Sequence, residues 1–350
     1  MMHVFFHTAA MHRRERTASQ QGNPMRIILS AVSALVLLAT ALPATAQAPA
    51  SPSAVRVTDD DVARFWIAYD AVRATQDPTE QRDLFQRLYI DQGTPGLAAF
   101  MEAKGYTADT YLNAIRAYPK YWDTVRPRTA LAAGALDRLE GHLARLHALY
   151  PDLRPAGVYF EIGALRSAGT AKGDKVLIGV EMAAGDDSVD VSQMPPGLQR
   201  FFGTYFASRP LDNLDLLATH EFVHTQQNGE RQTLLGQAVY EGVADFVAEK
   251  AAGRLPDLPY VAYGPANDAT IKVAFRKDMM ENDYSGWLYN GINNAFGVAD
   301  LGYYVGYAIT HRYYELAADK ALAIKTMLEL DYADQAAVQA FVDASGYFDE

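Results

Sequence analysis

The sequence of 350 residues has no cysteine and only 8 histidines. The absence of cysteine excludes disulfide frameworks, cysteine nucleophiles, iron–sulfur clusters, zinc fingers with thiolate ligands and lipid attachment at a cysteine. A transition-metal site must therefore use histidine and carboxylate ligands. Basic residues number 31 against 42 acidic ones, and the net charge of −11 argues against nucleic acid as a partner. The hydrophobic content of 49% is that of a globular protein.

The apolar run near the N-terminus is too short for a membrane span. IILSAVSALVLLATAL at residues 27–42 is shorter than the roughly 20 residues that a transmembrane helix needs. It follows Met25 and Arg26 and precedes a small-x-small triplet at residues 44–46, which is typical of a secretory signal peptide. We expect residues 1–46 to be a signal peptide with an upstream-start extension; an uncleaved anchor is the alternative. With no second apolar span, the mature protein is expected to be periplasmic or secreted.

Composition divides the next part of the chain into a linker and a helical region. Residues 47–56 are rich in Pro, Ala and Ser, which predicts a flexible linker. Residues 57–150 carry apolar side chains at helical spacing. Within them, we expect Pro127–Tyr150 to form one long amphipathic helix, which the prolines after it would end.

Two β-rich runs follow, VYFEIGAL at residues 158–165 and KVLIGVEM at residues 175–182. The segment RSAGTAKGD connects them, and we expect the two runs to pair as antiparallel strands. The rest of the chain is mostly helical in pattern. The predicted fold class is therefore α+β and mainly helical, with a small sheet and an N-terminal helical region.

An HExxH motif, His220-Glu221-Phe222-Val223-His224, lies in the apolar segment LDLLATHEFVHTQQ. Residues four apart lie one above the other on a helix, so both imidazoles can share one tetrahedral metal ion. Glu221 lies about 100° around the helix from His220, beside the metal rather than on it. That is the place for a general base that acts on the attacking water. The alternative is two surface histidines on an ordinary amphipathic helix.

Glu241 is the candidate for a third ligand. It lies 17 residues after His224, enough for the first helix to end, turn at Asn228-Gly229 and return as a second helix. Asp245 follows at i+4 on the same face, where it can accept the N–H of a ligating imidazole and fix its tautomer. Gly242 would let this second helix approach a neighbour closely. On its own, an ExxxD pair is more often a solvated helix face.

HEFVH followed by EGVAD resembles the gluzincin metallopeptidases. Closer still, the segments VYFEIGALRSAGT, VLIGVE, HEFVHTQQ, YEGVADFVAE, WLYNG and DLGYYVGYAITHRYYE resemble an uncharacterised family of predicted bacterial Zn-dependent proteases. The resemblance implies a zincin-like catalytic domain at residues 151–350. It also implies Zn²⁺ held by His220, His224 and Glu241, with Asp245 supporting a histidine ligand. The spacing from His224 to Glu241 is shorter than in thermolysin-like enzymes.

Peptide hydrolysis at such a site also needs a donor that stabilises the oxyanion of the tetrahedral intermediate. Gluzincins commonly take it from a Tyr or His in the C-terminal part. Tyr303, Tyr307 and His311 stand at successive i+4 positions on one helical stripe. Tyr303 is the first candidate, because its Tyr-x-x-Gly element resembles one that some gluzincin aminopeptidases use; Tyr307 and His311 are the alternatives. Aromatic stripes at this spacing are usually core.

The leading prediction is an exported zinc peptidase that acts on a peptide or protein substrate, with Glu221 as the general base. Zinc peptidases present an edge strand beside the metal, to which the substrate backbone adds as a further strand. VLIGVEM, at residues 176–182, is the candidate for that strand. Two alternatives stay open: a catalytically silent periplasmic binding or assembly factor on the same fold, and a metal hydrolase with a non-peptide substrate.

Overall fold

The computed structural model describes residues 55–292 and 294–349. Within them the chain is mainly helical with one small sheet, which confirms the predicted α+β class. The predicted signal peptide with its extension, and the predicted linker up to residue 54, lie outside the described residues. No helix in the described part is both long and apolar enough to cross a membrane.

The described residues form fourteen α-helices, many of which begin at a proline or at a capping side chain. Asp77, Thr94, Thr107 and Thr233 each accept a backbone N–H from the first turn of a helix. The helices are α1 (Asp60–Arg73), α2 (Pro78–Phe85), α3 (Pro95–Lys104), α4 (Ala108–Ala117), α5 (Pro119–Thr129), α6 (Ala133–Leu149), α7 (Val180–Ala183), α8 (Pro196–Ala207), α9 (Leu214–His224), α10 (Leu234–Ala252), α11 (Pro259–Asp278), α12 (Leu301–Leu316), α13 (Lys320–Glu329) and α14 (Gln335–Ser345).

The sheet has four strands in the order β1-β2-β4-β3. They are β1 (Arg56–Thr58), β2 (Gly157–Glu161), β3 (Gly169–Lys172) and β4 (Lys175–Gly179). The predicted antiparallel pairing of the two β-rich runs is wrong, because β2 and β4 are parallel. The connection between them holds β3, which turns back onto β4 at Gly173, a residue with φ of +58°. After that hairpin, β4 runs in the same direction as β2.

The two faces of this sheet are covered by different helices. Gly169, Ile178 and Phe160 form one row across three strands, so they share a face. A Cβ placed on Gly169 would meet Leu217 of α9 at 3.2 Å. On the opposite face, Gly96 of α3 lies directly against the Tyr159 ring. The helix that carries the HExxH motif therefore packs on one side of the sheet, next to its β3 edge.

The prediction of a single helix over Pro127–Tyr150 is also wrong, because the helix in this region starts at Ala133 rather than at Pro127. Pro119 occupies the first turn of α5, and Pro127 lies inside that helix. Proline has no N–H to bond the carbonyl four residues earlier, and the chain tightens to a 3₁₀ turn at Ala130–Ala132 before α6 begins. The amphipathic pattern after residue 133 belongs to α6 alone.

One hydrophobic core joins the helices before residue 150 to those after it. The almost wholly buried α10 packs against α6, α9 and α12. The predicted close approach at Gly242 is confirmed: a Cβ there would clash with the carbonyl carbon of Gly306 in α12. The turn at Asn228-Gly229 is present as well, with Gly229 at a φ of +89°. It lies between α9 and α10 and brings the two motif helices side by side.

Candidate metal centre

Helices α9 and α10 bring the three predicted ligands to one point. The Nε2 atoms of His220 and His224 lie 3.0 Å apart. Glu241 Oε2 lies 3.2 Å from the first and 3.1 Å from the second. All three side chains are mostly or fully buried, and together they form a group that can hold a metal ion. A tetrahedral zinc with bonds of about 2.0–2.1 Å separates its ligands by about 3.3 Å, so the residues fit such an ion.

Each imidazole is oriented by a hydrogen bond on its other nitrogen. His220 Nδ1 lies 2.8 Å from Asp245 Oδ1, which is the contact that the i+4 spacing from Glu241 predicts. His224 Nδ1 lies 2.6 Å from Gln227 Oε1. The Gln227 amide nitrogen donates to the carbonyl of Tyr240, an acceptor only, so its oxygen must face His224. Both Nδ1 atoms therefore carry the proton, and both Nε2 lone pairs point at the shared position.

When both imidazoles are neutral, the three converging atoms are all acceptors, so they can stay this close only with a proton or another cation between them. Burial disfavours a charged His220, but the carboxylates of Asp245 and Glu241 outweigh it and raise the pKa of the imidazole. Burial likewise disfavours a charged Glu241, yet His224 and His220 hold its pKa well below the usual range. The raised pKa of His220 and the lowered pKa of Glu241 both indicate that the site favours a positive charge between the ligand atoms.

Glu221 lies beside this group and outside it. The side chain is 2% exposed, and its Oε2 has no hydrogen-bond partner among the described residues. Its other oxygen would lie 3.2 Å from a Cβ placed on Gly169, so the glycine lets β3 lie close to this carboxylate without displacing it. Burial raises the pKa of the carboxyl. A buried carboxylate oxygen without a partner is what a general base needs in order to accept a proton.

Three tyrosines lie beside His220, Glu241 or Asp245, and among the described residues only one of them has a hydroxyl without a hydrogen bond. Tyr260 donates to Asp245 Oδ2 at 2.8 Å, and Tyr289 donates to Glu241 Oε1 at 2.7 Å. The Tyr303 ring lies 6.0 Å from the His220 ring, and its hydroxyl makes no hydrogen bond within the part of the chain described here. Burial raises the pKa of Tyr303, which keeps the proton on the hydroxyl. Tyr303 is therefore a donor available to a ligand.

The structure places the two alternatives to Tyr303 differently. The Tyr307 hydroxyl donates to Glu249, which lies one turn beyond Asp245 on α10. The His311 ring packs against Phe246 at 5.9 Å between centroids. The stripe thus runs away from the metal group along α10, and only its first member lies beside a predicted ligand.

The candidate strand beside the metal has to be corrected. VLIGVEM contributes β4, which has β2 on one side and β3 on the other, so it has no free edge. The edge strand beside the ligand group is β3, whose Gly169 lies against Glu221. The sequence GTAK is short and starts with glycine, so its pattern predicts a connection rather than a strand.

Sequence reasoning missed three residues that hold the ligands. Gln227 could have been found, because it follows His224 by three residues, just after the end of α9. Gln237 lies one turn before Glu241 and donates to its Oε1 at 2.9 Å, which i+4 spacing could also have indicated. Tyr289 has no such signal, since 48 residues separate it from Glu241. Compared with known protein families, curated proteins and solved structures, the chain matches none.

Proposed function

We propose that the protein is an exported zinc-dependent peptidase of the gluzincin type, on a zincin-like fold. His220, His224 and Glu241 hold the Zn²⁺, and Glu221 acts as the general base. One observation carries the proposal: three acceptor atoms lie 3.0–3.2 Å apart beside a buried carboxylate oxygen that has no partner. The proposal of export rests on the signal-peptide pattern of residues 1–46.

Two residues of the chain share the catalytic tasks: Glu221 transfers the proton, and Tyr303 stabilises the oxyanion. When bound, Zn²⁺ supplies a Lewis acid that makes water nucleophilic near neutral pH. Glu221 Oε2 accepts the proton of the attacking water and passes it to the leaving amine. The Tyr303 hydroxyl keeps its proton and donates a hydrogen bond to the oxyanion that develops on the scissile carbonyl.

A peptide fits this site better than other substrates because of β3. The outer edge of β3 pairs with no other strand in the described residues, and the strand lies against Glu221. An extended peptide that adds to this edge gains backbone hydrogen bonds and places its carbonyl beside the ligand group. This feature favours peptide hydrolysis over hydrolysis of a non-peptide bond.

The test compares zinc-loaded wild type with Glu221→Gln on a diverse peptide library. Because the side chain does not ligate, we expect the variant to keep its zinc and to lose about 10²–10⁴-fold in kcat/KM. Tyr303→Phe should lose about 10²-fold, whereas Tyr307→Phe, its matched control on the same stripe, should keep full activity. Zinc binding without cleavage of any peptide would instead favour the silent binding factor, and equal activity of Glu221→Gln would remove Glu221 from the mechanism.

A further inference from the structure

The two oxygens of Glu241 face different surroundings. Oε2 points at the two Nε2 atoms, 3.2 and 3.1 Å away. Oε1 accepts hydrogen bonds from Tyr289 at 2.7 Å and from the amide of Gln237 at 2.9 Å. A carboxylate oxygen that accepts two hydrogen bonds has its lone pairs engaged, so it is not free to bind a metal as well.

Tyr289 and Gln237 also bind each other. The Gln237 amide has two hydrogens: one goes to Glu241 Oε1 and the other to the Tyr289 hydroxyl, at 2.8 Å. The hydroxyl then donates its own proton to Glu241. Each donor in this closed ring has one acceptor, which fixes the direction of every bond and the rotation of the carboxylate. Gln237 is itself held by Arg231, whose Nε lies 3.1 Å from the amide oxygen.

The support from Tyr289 comes from a different part of the chain. Tyr289 lies in the segment between α11 and α12 and has a φ of +58°, which a tyrosine adopts only when its surroundings impose it. The next residue, Asn290, exchanges hydrogen bonds with Asp300 at 3.1 and 3.4 Å. Asp300 is the N-cap of α12 and also has a left-handed backbone, with a φ of +63°. The strained backbone thus occurs where this segment reaches the ligand.

We infer that Tyr289 is a positioning residue of the metal centre: with Gln237 it holds Glu241 so that the carboxylate offers the metal one oxygen rather than two. A single oxygen from Glu241 leaves a coordination position open for water or substrate, as a catalytic zinc site requires. The inference rests on the metal site of the proposed function and is independent of which bond is hydrolysed. Without the Tyr289 hydroxyl, the carboxylate can rotate and bind through both oxygens.

Tyr289→Phe tests this role, with Tyr304→Phe as the matched control. The Tyr304 hydroxyl also donates to a carboxylate, that of Asp268, which is not among the proposed ligands. Zinc affinity is measured by competition with a chromophoric chelator, and coordination number by the visible spectrum of the cobalt-substituted protein. We expect Tyr289→Phe to lose about 10–100-fold in zinc affinity and to shift the cobalt spectrum from four- toward five-coordinate, while Tyr304→Phe matches wild type.

The outcomes separate this inference from the peptidase proposal. Unchanged zinc affinity and an unchanged cobalt spectrum in Tyr289→Phe would overturn the positioning role, whatever the activity. If wild type binds zinc but cleaves no peptide, the peptidase proposal fails and the role of Tyr289 can still be measured. A folded wild type that binds no zinc overturns both. Should Tyr289→Phe fail to fold, Asn290→Ala keeps the hydroxyl but loosens its segment, and it must show the same cobalt shift to a smaller extent.

Discussion

Among the buried carboxylates of the described residues, two pairs have different surroundings. The ligand pair, Glu241 and Asp245, has a histidine, tyrosine or glutamine within 3.2 Å of each of its four oxygens. In the sheet pair, Glu161 is the last residue of β2, and Glu181 lies in α7, two residues after β4. Glu161 is 0% exposed, and neither of its oxygens has a partner among the described residues. Burial alone is therefore the same in both pairs, and the partners distinguish them.

The difference in partners determines the charge that Glu241 carries and the charge that Glu161 carries. Burial raises the pKa of Glu161 well above its usual range, and Asp61 and Glu181 raise it further. Burial also raises the pKa of Glu181 to about 7, although the backbone N–H groups of Gly163 and Leu165 oppose the rise. The histidines instead hold Glu241 ionised. A buried carboxyl with no imidazole beside it is kept neutral, whereas one that two imidazoles face stays charged and can bind a cation.

Glu241→Gln should have the largest effect of any change in either pair. It removes the charge and one ligand atom, so zinc affinity should fall about a thousand-fold, as expected when one of three ligands is lost. Glu161→Gln is the matched control, since it is the same substitution at an equally buried position, and it should bind zinc as wild type does. Chelator competition on both variants measures the contrast. Equal zinc affinity of the two variants would show that Glu241 is no more important for zinc binding than Glu161.

Asp245→Asn should have an intermediate effect. The amide can still meet His220 Nδ1 but has no charge to polarise the imidazole, so zinc affinity should fall about 10–100-fold. Gln227→Ala, which removes the neutral partner of His224, should lose less, because an uncharged amide raises ligand basicity less than a carboxylate does. Affinities of the two variants, measured side by side, rank the partners. The opposite order would show that the charge of Asp245 does not tune the metal.

Glu161→Gln should have the smallest effect, and it concerns stability. A raised folded-state pKa means that the folded protein binds more protons, so this carboxyl lowers the free energy of unfolding as the pH rises above about 4.5. Glutamine does not titrate. The variant should therefore match wild type near pH 4.5 and be more stable by about 1–3 kcal/mol at pH 8, measured by urea unfolding. A variant that is less stable at both pH values would mean that Glu161 is charged and paired in the folded state.

The parts of the site that follow helical spacing could be predicted from the sequence. His220 and His224 lie on one face because they are four residues apart, and Asp245 meets His220 because it follows Glu241 by the same interval. Tyr289 and Tyr260 could not be predicted, since their contacts with Glu241 and Asp245 arise only when α10, α11 and the segment after it pack together. Neither tyrosine lies three or four residues from the carboxylate it contacts, so helical spacing gives no indication of these contacts.

The fold shows the same limit. The mainly helical fold class can be predicted from the composition and from the spacing of apolar residues. The turn between α9 and α10 can be predicted from the Asn228-Gly229 pair. The direction of β2 relative to β4 depends on β3, a four-residue strand whose first residue is glycine. So short a segment carries little strand propensity of its own. Its strand structure is determined by pairing with β4 and by contact with α9, which the sequence alone does not show. This strand, for which the sequence pattern predicts a connection, is the one whose Gly169 lies against Glu221.

Titration of the metal-free chain with Zn²⁺ tests the central claim most directly. The account predicts saturation at about one zinc per chain, a rise in the thermal unfolding midpoint on binding, and loss of both in Glu241→Gln but not in Glu161→Gln. A folded wild-type chain that binds no zinc, or that binds it equally after Glu241→Gln, would contradict the account.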